Sequence, residues 1–245
     1  NLLYFFATYI ICNTNTQKNY LKKYNFLKNK TSTIFNGCDI LPFNKISKKN
    51  FTNKRLIIVG RIAYPKNGIR LLKAFKLFYE KYDFLPLIEW AGRIDNSRTE
   101  NNLVYNEMID FLDKNPILNK SFKFVGEIQN ITEFYKNSDG LISPSIYEGL
   151  PFVICEAMFS GCPVLASNIA DNNIILGKNE ERGLLCNPLS VKSIFHGIEK
   201  LVFTPETKLK TITLNARKFA EKNLTNKIMI EKYKTLIESF NIRTL

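Results

Sequence analysis

Residues 140–167 read GLISPSIYEGLPFVICEAMFSGCPVLAS, and this stretch decides the fold. GLISPS is a short apolar run closed by turn residues, and PVLAS is a second one. Between them lies FVICEAMFS, Phe152–Ser160, framed by Pro151, which suits a helix start, and Gly161, which suits the position just past a helix end. Strand, helix and strand over so few residues make a βαβ unit. The helix is apolar on every side except at Glu156. An all-round apolar helix is normally buried, and a carboxylate buried without partners costs several kcal/mol, roughly. Total stability is only about 5–15 kcal/mol, so Glu156 needs a reason.

The same alternation runs outward on both sides. RLIIVG from Arg55 reads as a buried strand, GIRLLKAFKLFYEKY as an amphipathic helix, and PLIEWAG as a strand. NNLVYNEMIDFLDKN is a helix, FKFVG a strand and ITEFYKNS a short helix. After PVLAS come the strand GLLC, the helix SVKSIFHGIEKLVF, and two more helices at 205–222 and 225–241. Short continuous apolar strands separated by helices predict a parallel sheet covered on both faces, a doubly wound α/β domain. Residues 54–223 form this domain and 224–245 a C-terminal helix. Residues 1–41 do not belong to the series. They predict a strand (TYIIC), a helix (TQKNYLKKYNFL) and a strand (STIFN), one βα unit that cannot cover its own faces. That is the tail of another domain, joined by a polar, basic linker at 42–53.

Composition narrows the function classes. The chain has 245 residues, 45% hydrophobic and 23% charged, an ordinary globular profile that excludes disorder. Its net charge of +13, from 35 Lys+Arg against 22 Asp+Glu, fits an anionic partner or a compositional bias towards lysine. Cys12, Cys38, Cys155, Cys162 and Cys186 show no metal-ligand spacing and predict free thiols in a reducing, cytoplasmic setting. The single histidine, His196, falls on a helix surface, so histidine triads and histidine-rich metal sites are excluded. The apolar run LLYFFATYIIC is too short to cross a bilayer and lacks signal-peptide flanks. A chain that begins with Asn1 is expected to be a fragment of a longer one.

In an open parallel sheet, ligands bind beyond the carboxyl ends of the strands. The loop after RLIIVG carries Arg61 and Lys66, in GRIAYPKNG, without a dinucleotide or P-loop glycine pattern. Two cations there make a phosphate clamp or a solvated basic loop. The loop SIYEGLP favours the clamp. It precedes the apolar helix, so the amides of Gly149, Leu150, Phe152 and Val153 are free to bind an anion at the helix N-terminus. Glu156 lies roughly 7–8 Å further along the axis and leans back towards that end. Its carboxylate would reach a group attached to the phosphates, and a ribose diol suits it. The competing reading is a buried pair with a lysine or arginine. Glu148, beside the anion site, is either a helix-start acid or a contact to a sugar beyond the phosphates.

Glu148 to Glu156, EGLPFVICE, resembles the E-x7-E motif of retaining GT-B glycosyltransferases, specifically glycosyltransferase family 4. The resemblance extends to VGRIAYPKNG, to FVGEIQNITEFYKNSD and to IFNGCDI, the passage between domains, and so covers nearly the whole chain. It implies that Gly60, Arg61 and Lys66 bind the diphosphate of a nucleotide-sugar donor and that Glu156 binds its ribose. It further implies that the amides of Gly149, Leu150, Phe152 and Val153 hold the distal phosphate. Glu148 would meet the donor sugar, and Glu127 and Ile128 the nucleobase. Arg61, Lys66 and Glu148 would be the catalytic residues, with no metal and no cofactor beyond the donor substrate.

Two departures stand out. Where the family often has Gly-x-Pro-Glu, this chain reads NIADNNIIL, and the family's first Rossmann domain, which binds the acceptor and often supplies a histidine, is represented only by 1–41. The expected activity is sugar transfer with retention to a glycan or lipid-linked acceptor. It calls for the missing N-terminal domain or a partner chain, and leaves peripheral association with the inner face of a membrane open. The alternatives are a non-catalytic nucleotide-sugar module, a subunit of a split transferase, or a GT-B epimerase. A nucleic-acid binder has only the charge in its favour, because no aromatic-rich basic stripe accompanies it.

Overall fold

The computed structural model describes residues 2–43, 51–95 and 97–241. Residues 44–50 of the expected linker and the last four residues of the expected C-terminal segment, 242–245, lie outside the described residues.

The N-terminal segment opens with α1 (Leu2–Phe6), followed by β1 (Ile10–Cys12), α2 (Asn15–Leu21) and β2 (Thr31–Thr33). β1 and β2 pair in parallel as a separate two-stranded sheet. The helix expected over TQKNYLKKYNFL ends early, at Leu21, and a 3₁₀ turn occupies Asn25–Leu27. Its start is well capped, with the Thr14 hydroxyl accepting from the Gln17 amide at 3.1 Å. No α2 residue is buried, however, so tertiary packing does not extend it.

The main domain is a six-stranded, all-parallel sheet. Its elements are β3 (Arg55–Val59), α3 (Gly68–Tyr82), β4 (Leu87–Ala91), α4 (Thr99–Asp113), α5 (Pro116–Ser121), β5 (Phe122–Gly126), α6 (Ile131–Lys136), β6 (Gly140–Ser143), α7 (Phe152–Ser160), β7 (Val164–Ser167), α8 (Asn172–Leu176), β8 (Leu184–Cys186), α9 (Val191–Phe203) and α10 (Glu206–Asn223). The order across the sheet is β5-β4-β3-β6-β7-β8. Every strand expected from sequence is present. α5 and α8 were not expected, since six and five residues are too few to show a period.

Strand side chains alternate between two cores, as a pleat requires. Leu56, Ile58, Ile142 and Leu165 pack under α3, α4 and α9, while Ile57, Leu141, Val164 and Ala166 pack under α6, α7, α8 and α10. A last helix, α11 (Asn226–Asn241), leaves this domain and returns to the N-terminal segment. The Cys38 amide donates to the Leu224 carbonyl at 2.8 Å, Asn226 Nδ2 donates to Asp39 Oδ1 at 2.6 Å, and the rings of Tyr9 and Phe240 meet at 5.2 Å. Among the described residues no helix is long and apolar enough to cross a membrane.

Candidate active site

The chain runs from β3 outward to β4 and β5, then returns to the centre for β6, β7 and β8. β3 and β6 are therefore neighbours whose following loops turn to opposite sides, and such a switch point opens a crevice at the strand ends. The two loops are tied together. The Ile146 amide donates to the Pro65 carbonyl at 2.8 Å. Asn67, buried and left-handed at φ 61°, donates from Nδ2 to the carbonyls of Pro144 and Pro188 at 2.9 and 2.8 Å.

Lys66 folds back across the end of β3. Gly60 has φ 136°, a conformation that favours glycine, and a Cβ there would stand 2.9 Å from Lys66 Cε, so the end of the lysine would have to shift. Lys66 Nζ then meets Glu148 Oε1 at 2.5 Å, and both side chains are only 20% exposed. Ser145 Oγ donates to the same oxygen at 2.9 Å. Arg61 points elsewhere: its side chain is 60% exposed, and Nη1 pairs with Asp95 Oδ2 at 2.6 Å. The hydroxyl and amide of Ser97 hold the Asp95 carboxyl below its ordinary value, helped by Arg61 and Arg93 and opposed by burial. Lys66 and Arg61 thus each pair with a carboxylate.

The loop after β6 ends at Pro151, in extended conformation, and α7 begins at Phe152. Among the described residues, the amides of Gly149, Leu150, Phe152 and Val153 make no hydrogen bond, the first intrahelical pairs being Ile154 and Cys155 to the Pro151 carbonyl. They are four N–H donors at the positive end of the helix dipole. Gly161, left-handed at φ 77°, closes the other end.

Glu156 is half-buried rather than buried, and its partner is neither lysine nor arginine. The hydroxyl of Tyr135, a residue 1% exposed, donates to Glu156 Oε2 at 2.9 Å and also lies 3.2 Å from the Val153 carbonyl. Burial first, then the Glu156 charge, pushes the Tyr135 phenol well above its ordinary range, so it stays a donor. Burial, with Glu156 and Asp39 adding to it, also raises the Cys38 thiol to about 12, which makes it inert at neutral pH.

The structure thus brings together Gly60, Lys66, Glu148, Gly149, Leu150, Phe152 and Val153, with Glu156 on the next turn of α7. Arg61 shares the loop but faces Asp95. Glu127 is exposed and Ile128 half-buried beyond β5, two strands from β3, and among the described residues no hydrogen bond or ion pair joins them to the rest. His196 lies on the exposed face of α9 beside Glu199, as its helical context predicts. Among the described residues no cluster of His, Cys, Asp and Glu forms a metal site. Sequence reasoning missed Tyr135, Ser145 and Asp95, which carry no motif. It also missed Asp171, in the departing NIADNNIIL segment. Asp171 is buried and accepts from the Asn15 amide at 2.5 Å and from the Thr16 amide and hydroxyl at 2.9 and 2.8 Å, tying the main domain to α2.

The chain is similar to known proteins in sequence and in fold. A family model described as glycosyl transferases group 1 matches residues 41–219. The capsular polysaccharide biosynthesis glycosyltransferase CapH of Staphylococcus aureus is 30% identical over 69% of this chain and 45% of its own length. The UDP-Gal:alpha-D-GlcNAc-diphosphoundecaprenol alpha-1,3-galactosyltransferase of Escherichia coli is 27% identical over 86% of this chain and 55% of its own. Among solved structures, Anabaena HepE in complex with UDP and glucose superposes with a TM-score of 0.79 at 19% identity, over 96% of this chain and 64% of that one. A Rickettsia africae glycosyltransferase gives 0.79 at 16% identity, over 94% and 63%. The doubly wound sheet is therefore the Rossmann-like half of a GT-B fold, and the chain spans about half the length of the curated relatives it matches.

Proposed function

The chain belongs to the glycosyl transferases group 1 family, and we propose that it carries the donor-binding half of a retaining enzyme of glycosyltransferase family 4. The observation that carries this reading is the set of free amides at the start of α7, with Lys66 folded over Gly60 beside them. A diphosphate bound to those amides draws Lys66 away from Glu148 and recruits Arg61 from Asp95. Glu148, released, accepts from hydroxyls of the transferred sugar, and Glu156, held by Tyr135, accepts from the ribose. Glu127 and Ile128 border the nucleobase. The leaving diphosphate assists attack by the acceptor hydroxyl on the same face, so the configuration is retained without a protein nucleophile. Arg61 and Lys66 stabilise the charge that develops on it. No metal or further cofactor takes part.

The acceptor, a glycan or lipid-linked sugar, would be held by an N-terminal domain opposite this one, and the reaction placed in the cytoplasm or at the inner membrane face. The five free cysteines support a reducing compartment. Because the chain spans about half of its relatives, the second reading is a nucleotide-sugar module that works with a separate chain. Transfer requires an oriented acceptor and exclusion of water, both of which need that opposing domain. Titration with nucleoside diphosphates and their sugars, followed by assay with and without a supplied N-terminal half, tests the reading. Binding by this chain with transfer only after supplementation is expected. Failure to bind any of them would overturn it.

A further inference from the structure

The loop after β1 delivers a polar side chain to the proposed donor site from the other side of the cleft. Asn13 follows Cys12 directly, and its carboxamide lies over Gly149. A Cβ placed on Gly149 would be 3.6 Å from Asn13 Nδ2 and 4.0 Å from Oδ1. Asn13 Oδ1 is buried and has no hydrogen-bond partner. A buried amide oxygen left unpaired costs about 1–3 kcal/mol, and native proteins keep few of them without a reason.

The backbone that follows Asn13 is held in place. The residues after it are fixed twice over, by the Thr14 hydroxyl on the Gln17 amide and by the Asp171 carboxylate on Asn15 and Thr16. Asp171 is itself aimed by Ala170, a non-glycine residue held at φ 46°, in the left-handed region that alanine normally avoids. A strained turn, a buried carboxylate and three donated hydrogen bonds therefore hold one amide above the phosphate-binding loop. Strain of this kind persists where the surroundings over-determine it, often at functional sites.

The geometry points to Asn13 as a donor-site residue supplied by the N-terminal segment, its carboxamide turning so that the unpaired Oδ1 accepts a hydrogen bond from a hydroxyl of the transferred sugar. This rests on the donor-site reading above. A carboxamide has an acceptor end and a donor end, which suits a polyol. It adds no charge to a site already provided with Lys66 and Arg61 for the phosphates. Gly149 marks where the two segments approach, so the sugar leaving the phosphates there would pass beneath Asn13. Asp171 is then a positioning residue, acting only through the loop that it holds.

The test is calorimetric titration of the 245-residue chain with uridine and guanosine diphosphates, and with UDP-glucose, UDP-galactose, UDP-N-acetylglucosamine and GDP-mannose. Read out is the ratio of diphosphate Kd to diphosphate-sugar Kd. Asn13→Ala, with a melting temperature no lower than the wild type's, should leave the bare diphosphate within about twofold and lower the ratio about three- to tenfold, the worth of one neutral hydrogen bond. Asp171→Ala should lower the same ratio without affecting the bare diphosphate. Wild-type affinity for both ligands in Asn13→Ala overturns the inference. So does an equal loss for both ligands, or a wild-type chain that gains nothing from any sugar. If the wild type binds diphosphate and Glu156→Ala weakens it while Asn13→Ala changes nothing, only the Asn13 assignment fails. If the wild type binds no diphosphate, the donor-site reading falls and takes the assignment with it.

Discussion

Replacing the two motif glutamates separately should change nucleotide binding in opposite directions. Glu156 sits on the second turn of α7, with Tyr135 on one carboxylate oxygen and, among the described residues, no hydrogen bond on the other, which in the proposed reading accepts from the ribose. Removing it deletes a hydrogen bond to a charged group, about 1.5–3 kcal/mol, which is roughly a ten- to hundredfold loss for the bare nucleoside diphosphate. The fold should tolerate Glu156→Ala, because the Tyr135 hydroxyl can still turn to the Val153 carbonyl 3.2 Å away. Glu148 differs, since its carboxylate holds Lys66 at 2.5 Å, and the proposed reading gives that lysine to a phosphate. A partly exposed pair of this kind is worth about 1 kcal/mol after solvent screening, and a diphosphate must break it. Glu148→Gln should therefore tighten the bare diphosphate by up to about fivefold, while weakening the contribution of the sugar. Calorimetric titration of both variants, with and without the sugar, measures each difference. A clear loss of bare-diphosphate affinity in Glu148→Gln, equal to that of Glu156→Ala, would refute the division of roles.

Three further predictions concern the scaffold. Tyr135→Phe should weaken diphosphate binding severalfold, because Glu156 loses the donor that orients it, and titration beside Glu156→Ala should show a smaller effect. Glu199 is raised by burial, but hydrogen bonds from Lys81, Tyr82 and His196 outweigh that and bring it down to about 2 from an unperturbed 4.5. Its stabilisation is complete above pH 4.5 and fades as pH falls towards 2, so the melting temperatures of wild type and Glu199→Gln should differ at pH 7 and converge near pH 2. Gly197, in α9, faces Leu165 so closely that a Cβ would stand 2.5 Å from Cδ1. Gly197→Val should cost about 2–3 kcal/mol and lower the melting temperature by at least about 4 °C in a calorimetric scan.

The doubly wound core was legible because each strand is a continuous apolar run and each long helix shows its period. α3, β5 and α7 begin and end where the residues predicted. The early end of α2 was not legible, since whether a helix continues depends on what it packs against. The site was legible where chemistry follows from local geometry: the amides at the start of α7, Gly60 and Lys66 at the end of β3. Contacts across the fold were not. Nothing in ITEFYKNS announces that Tyr135 will reach Glu156, 21 residues away in sequence, nor does NIADNNIIL announce that Asp171 will hold Asn15 across 156. The resemblance led to a glycosyltransferase, as the group 1 family model bears out, but it could not reveal that Arg61 and Lys66 are each paired with a carboxylate.

In the proposed function Arg61 and Lys66, with the amides of α7, form a diphosphate site. Its most direct test is a calorimetric comparison of the wild-type chain with Arg61→Ala/Lys66→Ala, using nucleoside diphosphate sugars at fixed salt and duplex and single-stranded nucleic acid in parallel over a salt series. The account predicts that the wild type binds a nucleotide sugar and that the double variant loses this binding by at least about a hundredfold, as two charged hydrogen-bonding groups imply. Any nucleic-acid binding should be weak, steeply salt-dependent and little changed by the pair. Nucleotide-sugar affinity that survives the double substitution, or tight sequence-selective nucleic-acid binding that disappears with it, would contradict the account.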